Sequence, residues 1–317
     1  MIKVRIPATT ANLGPGFDCL GLALNLWNTF SLELTDVVGQ IQVETRGEGE
    51  GILPSDESHL VARTMVSETW PGLMPKDRGL KITCENQVPC ASGLGSSSTA
   101  VLAGLVFASA LSARAVQPDR SDAVLNMVNN PDNLDRVLHR AIQLEGHGDN
   151  VAPALLGGLV LVVAGENSNI VKRVDFAPLK AVVCVPKYNF LTSDARAALP
   201  GQYSKSDTIH NIGHALAVVE ALREGDLSLL ASAMADRVHE PYRVPLIPGA
   251  AEAKRQAMAA GAATTCLSGA GPGMLAISKD NHDAIGAAMC QAFADSGIAA
   301  RYWVLETLAT GTEILSC

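Results

Sequence analysis

The sequence predicts an α+β protein of two domains, and three observations carry that expectation. The chain has 317 residues, which at roughly 100–200 residues per domain is enough for two. Short segments of strand alternation are interleaved with longer helical ones over the whole length. The rhythm breaks between Gly157 and Pro178, where Glu166-Asn167-Ser168-Asn169 interrupts it. The expected domains are therefore 1–160 and 161–317.

Taking the elements in order, Lys3 to Ile6 reads as a short strand ended by Pro7, which has no N–H to give a ladder. Phe30 to Val43 alternates well enough for one or two strands, and His59 to Trp70 has helical character. Leu80, Ile82 and Cys84 are apolar while Lys81, Thr83 and Glu85 are polar, which is strand alternation. A loop from Gln87 to Ser98 leads into Thr99 to Leu111, so nearly apolar that a helix there must be buried on almost every side. Further helix is expected over Ala123 to Leu144, broken near Asn130-Pro131. Strands are expected at Gly157 to Val163 and at Ala181 to Val185. Beyond these, Asp207 to Leu222, Leu227 to His239, Ala250 to Ala260 and Asn281 to Ala294 read as helices. Thr264 to Leu267, Met274 to Ser278 and Ala300 to Leu305 read as strands.

Composition excludes several classes. Hydrophobic residues make up 48% and leave ample material for a core. Aromatics are only 4%, too few for the stacking platforms of a single-strand binder. The net charge of −8 and the absence of a Lys/Arg run argue against a nucleic-acid partner. A nucleotide remains compatible, because backbone amides and Mg²⁺ neutralise phosphates locally. The longest uninterrupted apolar run, Ala154 to Ala164, is shorter than the roughly 18–20 residues that span a bilayer. Met1 to Phe17 lacks the apolar stretch of a signal peptide, so no membrane partner and a cytosolic location are expected. The seven cysteines are scattered without a C-x-x-C and read as reduced thiols.

The most informative stretch is Pro89-Cys90-Ala91-Ser92-Gly93-Leu94-Gly95-Ser96-Ser97-Ser98. It follows an expected strand and opens the apolar helix. Its glycines let the backbone turn tightly and approach a ligand, and its serines sit where free amides and the positive end of the helix dipole attract an anion. It is no Walker A loop, because it contains no lysine. An N-capped core helix would need far fewer glycines and serines. Three more motifs stand out. Pro7-Ala8-Thr9-Thr10-Ala11-Asn12-Leu13-Gly14-Pro15-Gly16-Phe17-Asp18-Cys19-Leu20-Gly21 lies near the start. Glu145-Gly146-His147-Gly148-Asp149-Asn150-Val151-Ala152-Pro153-Ala154 lies in the middle, and Ser268-Gly269-Ala270-Gly271-Pro272-Gly273 lies late.

The glycine-serine run resembles the phosphate-binding motif of the GHMP kinases (galactokinase, homoserine kinase, mevalonate kinase, phosphomevalonate kinase). The first and second of the other motifs resemble the homoserine kinase branch, and the third resembles the family's last glycine-rich motif. The resemblance implies the two-domain GHMP kinase fold, with an N-terminal ribosomal-S5-domain-2-like α/β domain that binds ATP and a C-terminal ferredoxin-like α+β domain. It implies ATP and Mg²⁺ as cofactors and L-homoserine as the small-molecule partner, phosphorylated on its side-chain hydroxyl in threonine biosynthesis. It also implies a homodimer.

Residue by residue, the resemblance places Pro89, Ser92, Gly93, Leu94, Gly95, Ser96, Ser97 and Ser98 around the phosphates, with Ser97 and Glu145 on the metal. It places His147, Asp149, Asn150 and Gly269 in the substrate pocket, with Asn150 orienting the acceptor hydroxyl. Arg196 and Arg243 match the family's carboxylate-binding arginines, with Thr192 beside them; guanidinium groups suit that role. Asn12 and Asp18 match the ammonium side of an amino acid. No Asp–Lys pair stands out as a base.

Two positions depart from the pattern. His59 stands where an asparagine near the adenine is usual, and Gly148 where proline is usual. The competing readings are another GHMP kinase, acting on mevalonate or a sugar, and a silent ligand sensor on the same fold. His210 and His214 have the spacing of a zinc pair but lack a third ligand and read as surface or packing histidines.

Overall fold

The computed structural model describes residues 1–69, 75, 77–116, 130–165 and 169–316. Trp70, the stretch from Ala123 to Asn129 and residues Glu166 to Ser168 lie outside the described residues.

Strand alternation at the start produces β1 (Ile2–Ala11), whose even-numbered residues Ile2, Val4 and Ile6 are buried. It runs on through Pro7 rather than stopping there. The register with β2 (Leu20–Thr35) slips between Pro7 and Ala8, and this bulge accommodates the proline without ending the ladder. β2 is longer than the sequence indicated. Its second half pairs with β4 (Gly79–Asn86) and its first residues with β5 (Leu159–Val163), so one long strand joins two parts of the sheet. β3 (Ile41–Gly47) runs parallel to β4, and β6 (Ile170–Val174) pairs with β5. The edge beside β1 is closed by β11 (Glu313–Ser316), and Arg5 donates to the Glu313 carboxylate across it.

Helices lying over this sheet among the described residues include α1 (Leu60–Glu68), α2 (Ser96–Val116) and α3 (Pro131–Glu145). By length and composition α2 could cross a membrane. Here it packs on β1, α1 and α3 instead, with Val101, Leu102, Val106 and Phe107 in the core. Each such side chain contributes about 1.5–3 kcal/mol when fully buried. α2 begins at Ser96, three residues before the apolar run, because the serines form its first turn. α3 has Asn130 as N-cap, Pro131 at its first position and left-handed Gly146 as its C-cap. A short helix α4 (Val151–Leu156) follows directly.

The second sheet is antiparallel throughout, in the order β10 (Ala300–Glu306), β7 (Lys180–Pro186), β9 (Met274–Ile277), β8 (Thr264–Leu267). Chain segments around it form α5 (Thr192–Ala197), α6 (Lys205–Glu224), α7 (Leu227–Ala233) and α8 (Glu240–Arg243). They also form α9 (Ala250–Ala259) and α10 (His282–Asp295). α7 ends at Ala233, well before His239, because Asp236 turns the chain. Its carboxylate accepts from the backbone amides of Val238, His239 and Glu240. His210 and His214 stack on one another at 3.7 Å and bond to the carbonyls of Ala235 and Ala233. They are packing residues, and among the described residues no three His, Cys, Asp or Glu side chains are grouped to hold a metal.

Candidate active site

The motifs, far apart in sequence, meet where the two sheets approach each other. The loop between β4 and α2 is pinned from three sides. Ser92 donates its hydroxyl to the Pro89 carbonyl at 2.7 Å. Ser268 donates its hydroxyl to the Gly93 carbonyl at 2.8 Å and lies 2.9 Å from Thr10 Oγ1, whose hydroxyl can donate to it. The Thr9 amide donates to the Leu94 carbonyl at 3.1 Å. Gly93 is obligatory here. Its φ is +79°, and a Cβ would stand 2.0 Å from the Ser268 carbonyl oxygen. Gly95, at φ +71°, would drive a Cβ to 2.2 Å from Thr9 Oγ1.

The amides of Ser96, Ser97 and Ser98 in the first turn of α2 donate to no acceptor among the described residues, and no acidic side chain lies in that turn. That is a cradle for an anion. Glu145, at the end of α3, accepts from Ser97 Oγ at 3.0 Å and from Ser98 Oγ at 3.3 Å. Two oxygens at right angles around an octahedral Mg²⁺ at about 2.1 Å stand about 3 Å apart. The Ser97–Glu145 pair therefore fits that ion in both donor chemistry and spacing.

Two cavities share Ala91, Ser96 and Ser97. The larger, of about 390 Å³, is lined by nearly all the expected residues: Asn12, Asp18, Ser92, Gly93, Gly95 to Ser98, Glu145, His147, Asp149, Asn150, Thr192, Arg196, Arg243 and Gly269. Phe190 and Leu191 complete its wall. The smaller, of about 300 Å³, is more apolar and contains His59, Asn86, Phe30 and Pro54. Two expected residues are not brought to either cavity. The Leu94 side chain is fully buried in the core, and Pro89 acts through its carbonyl.

The substrate-side residues form a connected set. Asn12 is committed at both ends, donating Nδ2–H to the Gly269 carbonyl at 2.7 Å and accepting the Asp18 amide at 3.0 Å. It holds two loops together rather than presenting a free polar group. Asp18 and Arg196 form a bidentate pair at 3.0 Å, with side chains 37% and 41% exposed. So wet a pair is worth at most about 1 kcal/mol. Asp149 is buried and lies 3.1 Å from His147 Nδ1, and this bond raises the His147 pKa. Thr9 donates to Asn150 Oδ1 at 2.8 Å, an orienting contact that the paired threonines of the first motif signalled only as pattern.

Arg243 is 2% exposed, yet among the described residues no carboxylate pairs with it. It donates Nε–H to the Ala195 carbonyl at 3.1 Å, lies 3.4 Å from His239 Nδ1 and covers Phe17 at 4.9 Å. Burial pushes its pKa down. His239, fully buried and stacked on Phe17, bonds the Gly14 carbonyl through Nε2 at 2.9 Å. Neither Phe17 nor His239 was singled out from sequence, although Phe17 sits inside the first of the quoted motifs.

Burial also lowers the His239 pKa below the ordinary imidazole value of 6.5. A depressed folded-state pKa gives stability that is present above about pH 6.5 and is lost as pH falls through the folded value. His59 acts in the same direction, whereas His147, with a raised pKa, acts oppositely. We expect His239→Gln to lie below the parent chain in urea stability at pH 8, with the gap narrowing at pH 5. A gap independent of pH would show that His239 does not titrate between the folded and unfolded states.

Comparison with known proteins gives the family. The family model for the GHMP kinases N terminal domain matches residues 59–158, and that for GHMP kinases C terminal matches residues 218–295. The chain belongs to the GHMP kinase family. It is 40% identical over 316 residues to the homoserine kinase of Synechococcus sp., covering 99% of this chain and 97% of that one. To the homoserine kinase of Desulfitobacterium hafniense it is 36% identical, covering 99% and 100%. The crystal structure of homoserine kinase from Cytophaga hutchinsonii superposes with a TM-score of 0.80 at 30% identity, covering 99% of this chain and 97% of that one.

Proposed function

We propose that this chain is a homoserine kinase, transferring the γ-phosphoryl group of ATP to the side-chain hydroxyl of L-homoserine. The observation that carries the acceptor is a single cavity with an anion cradle on one wall and the Asp18–Arg196–Arg243 group on another. A zwitterionic amino acid complements that group. Its carboxylate meets the buried Arg243 and competes for Arg196, while its ammonium takes over Asp18. One weak, solvated ion pair is thereby replaced by two. Mevalonate has no ammonium, so a carboxylate that draws Arg196 away would leave Asp18 without a replacement cation, and a neutral sugar would leave the Asp18–Arg196 pair as it is and Arg243 unpaired.

Phosphoryl transfer asks a protein chiefly for positioning and charge stabilisation. The free amides of α2 receive the phosphate oxygens. Ser97 and Glu145 would hold Mg²⁺, which when bound screens charge on the phosphates. No lysine lines the cavity among the described residues, and Asp18 and Asp149 are both engaged by neighbours. Asn150 is therefore assigned to orienting the acceptor hydroxyl, not to removing its proton. The smaller cavity, with His59 in its wall, suits the nucleotide base. The reading includes a cytosolic enzyme of threonine biosynthesis that works as a homodimer.

The test is ADP release in a coupled assay with ATP and Mg²⁺, offering L-homoserine beside mevalonate, galactose and L-threonine. Turnover with homoserine alone is expected. ATP binding without turnover on any acceptor would favour the sensor reading. Asn150→Ala is expected to lower kcat about a hundredfold with little change in the KM for ATP; full kcat in this variant would remove Asn150 from the mechanism.

A further inference from the structure

Among the described residues, six buried side-chain polar atoms have no hydrogen-bond partner. Such atoms are costly unless something else satisfies them. His59 Nε2 and Asn86 Oδ1 both belong to residues of the small cavity beside the phosphate loop. Ser278 Oγ and His282 Nε2 belong to residues of a different cavity, of about 520 Å³. That cavity lies at the far end of β7 and β9 from the candidate active site. β7 enters it at Lys180 and runs toward Phe190. β9 follows the glycine turn at Gly273 and ends at Ile277, just before Ser278.

We propose that this second cavity binds a small organic carboxylate. Ser278 is 4% exposed and lines the cavity with its hydroxyl unpartnered. Beside it starts α10, a helix of 14 residues whose N-cap, Asn281, makes no side-chain capping bond. The amides of His282, Asp283 and Ala284 donate to no acceptor among the described residues, so this helix end is open to an anion.

The charges in the wall are mixed. Lys180 meets Glu306 at 3.5 Å, which leaves Lys279 as the cation for the ligand. Asp283, in the same first turn, is engaged by the Tyr302 hydroxyl at 3.2 Å. Pro178, Leu179 and Leu227 supply an apolar wall. Donors at one end and aliphatic surface at the other fit a carboxylate with a short apolar body better than a bare inorganic anion.

The experiment is a titration of the full-length, isotope-labelled protein followed by amide NMR, using sodium isobutyrate and, separately, inorganic phosphate at matched ionic strength. The expected result is saturable isobutyrate shifts of the amides of Lys279, His282, Asp283 and Ala284, with the loop at Gly93 to Ser98 unmoved. Lys279→Gln and Ser278→Ala should each weaken binding about tenfold. Leu227→Ser should weaken isobutyrate and not phosphate. Lys279 is exposed, so its variant keeps the test valid if Ser278→Ala disturbs the strand. Shifts that do not saturate, or that survive unchanged in Lys279→Gln, would overturn the site. Equal affinity for phosphate and isobutyrate would overturn the ligand class. The readout does not depend on kinase activity, so it stands apart from the function proposed above.

Discussion

Glu145→Gln is expected to lower kcat/KM for ATP and homoserine by about a thousandfold, the scale of several kcal/mol of lost charge stabilisation at a phosphoryl group. The amide keeps the shape and still accepts from Ser97 and Ser98, so the fold and the α2–α3 contact are preserved. What is removed is the negative charge at the one point where two hydroxyls and a carboxylate converge. The Mg²⁺ concentration giving half-maximal rate should rise sharply, while thermal stability without nucleotide stays within about 0.5 kcal/mol of the parent chain. Coupled ADP release across a Mg²⁺ titration measures the rate loss and the Mg²⁺ dependence, and thermal melting without nucleotide measures the stability. An unchanged Mg²⁺ dependence would mean that Glu145 orders the serines and does not touch the metal.

The second large effect concerns the acceptor. Arg243→Met is expected to reduce kcat/KM for L-homoserine by about a thousandfold, as removing one member of a buried charge pair does. The loss should fall mainly on the KM for homoserine, with the KM for ATP little changed. Stability should move the other way. The parent chain buries this cation without a carboxylate partner, and Met lays an apolar chain of similar length over Phe17. Stability should therefore be unchanged or higher by about 1 kcal/mol. Arg243→Lys should not rescue binding, because it loses the bond to the Ala195 carbonyl and the approach to His239. Parent-like homoserine kinetics in Arg243→Met would show that Arg196 alone receives the carboxylate.

Much of the site was legible because its residues are demanded by backbone geometry. Gly93 and Gly95 admit no side chain where they lie, so the loop's pattern survives as readable sequence. The strand at Leu80 was legible from alternation, those at Thr264 and Met274 from the glycine-rich turn between them, and the start of α3 as a break at Asn130-Pro131. What escaped the sequence depends on contacts between distant segments. The Arg196–Asp18 pair and the twofold engagement of Asn12 join residues 178 and 257 positions apart. Periodicity within a window carries no trace of either. Leu94 was placed on the phosphates by motif position, whereas its side chain serves the core and only its carbonyl serves the loop. Pro7 escaped for a different reason, since a bulge at Pro7 and Ala8 makes room for a residue that would otherwise end a strand.

β11 offers a last consequence. Residues 313–316 complete the edge of a sheet that begins at residue 2, so Arg5 finds Glu313 across 308 positions of chain. Loop closure on that scale is entropically late, and proteins rich in such contacts fold slowly. During synthesis, the first sheet waits for residues 313–316 to emerge before its edge is closed. Until then β1 presents an open rim to neighbouring nascent chains.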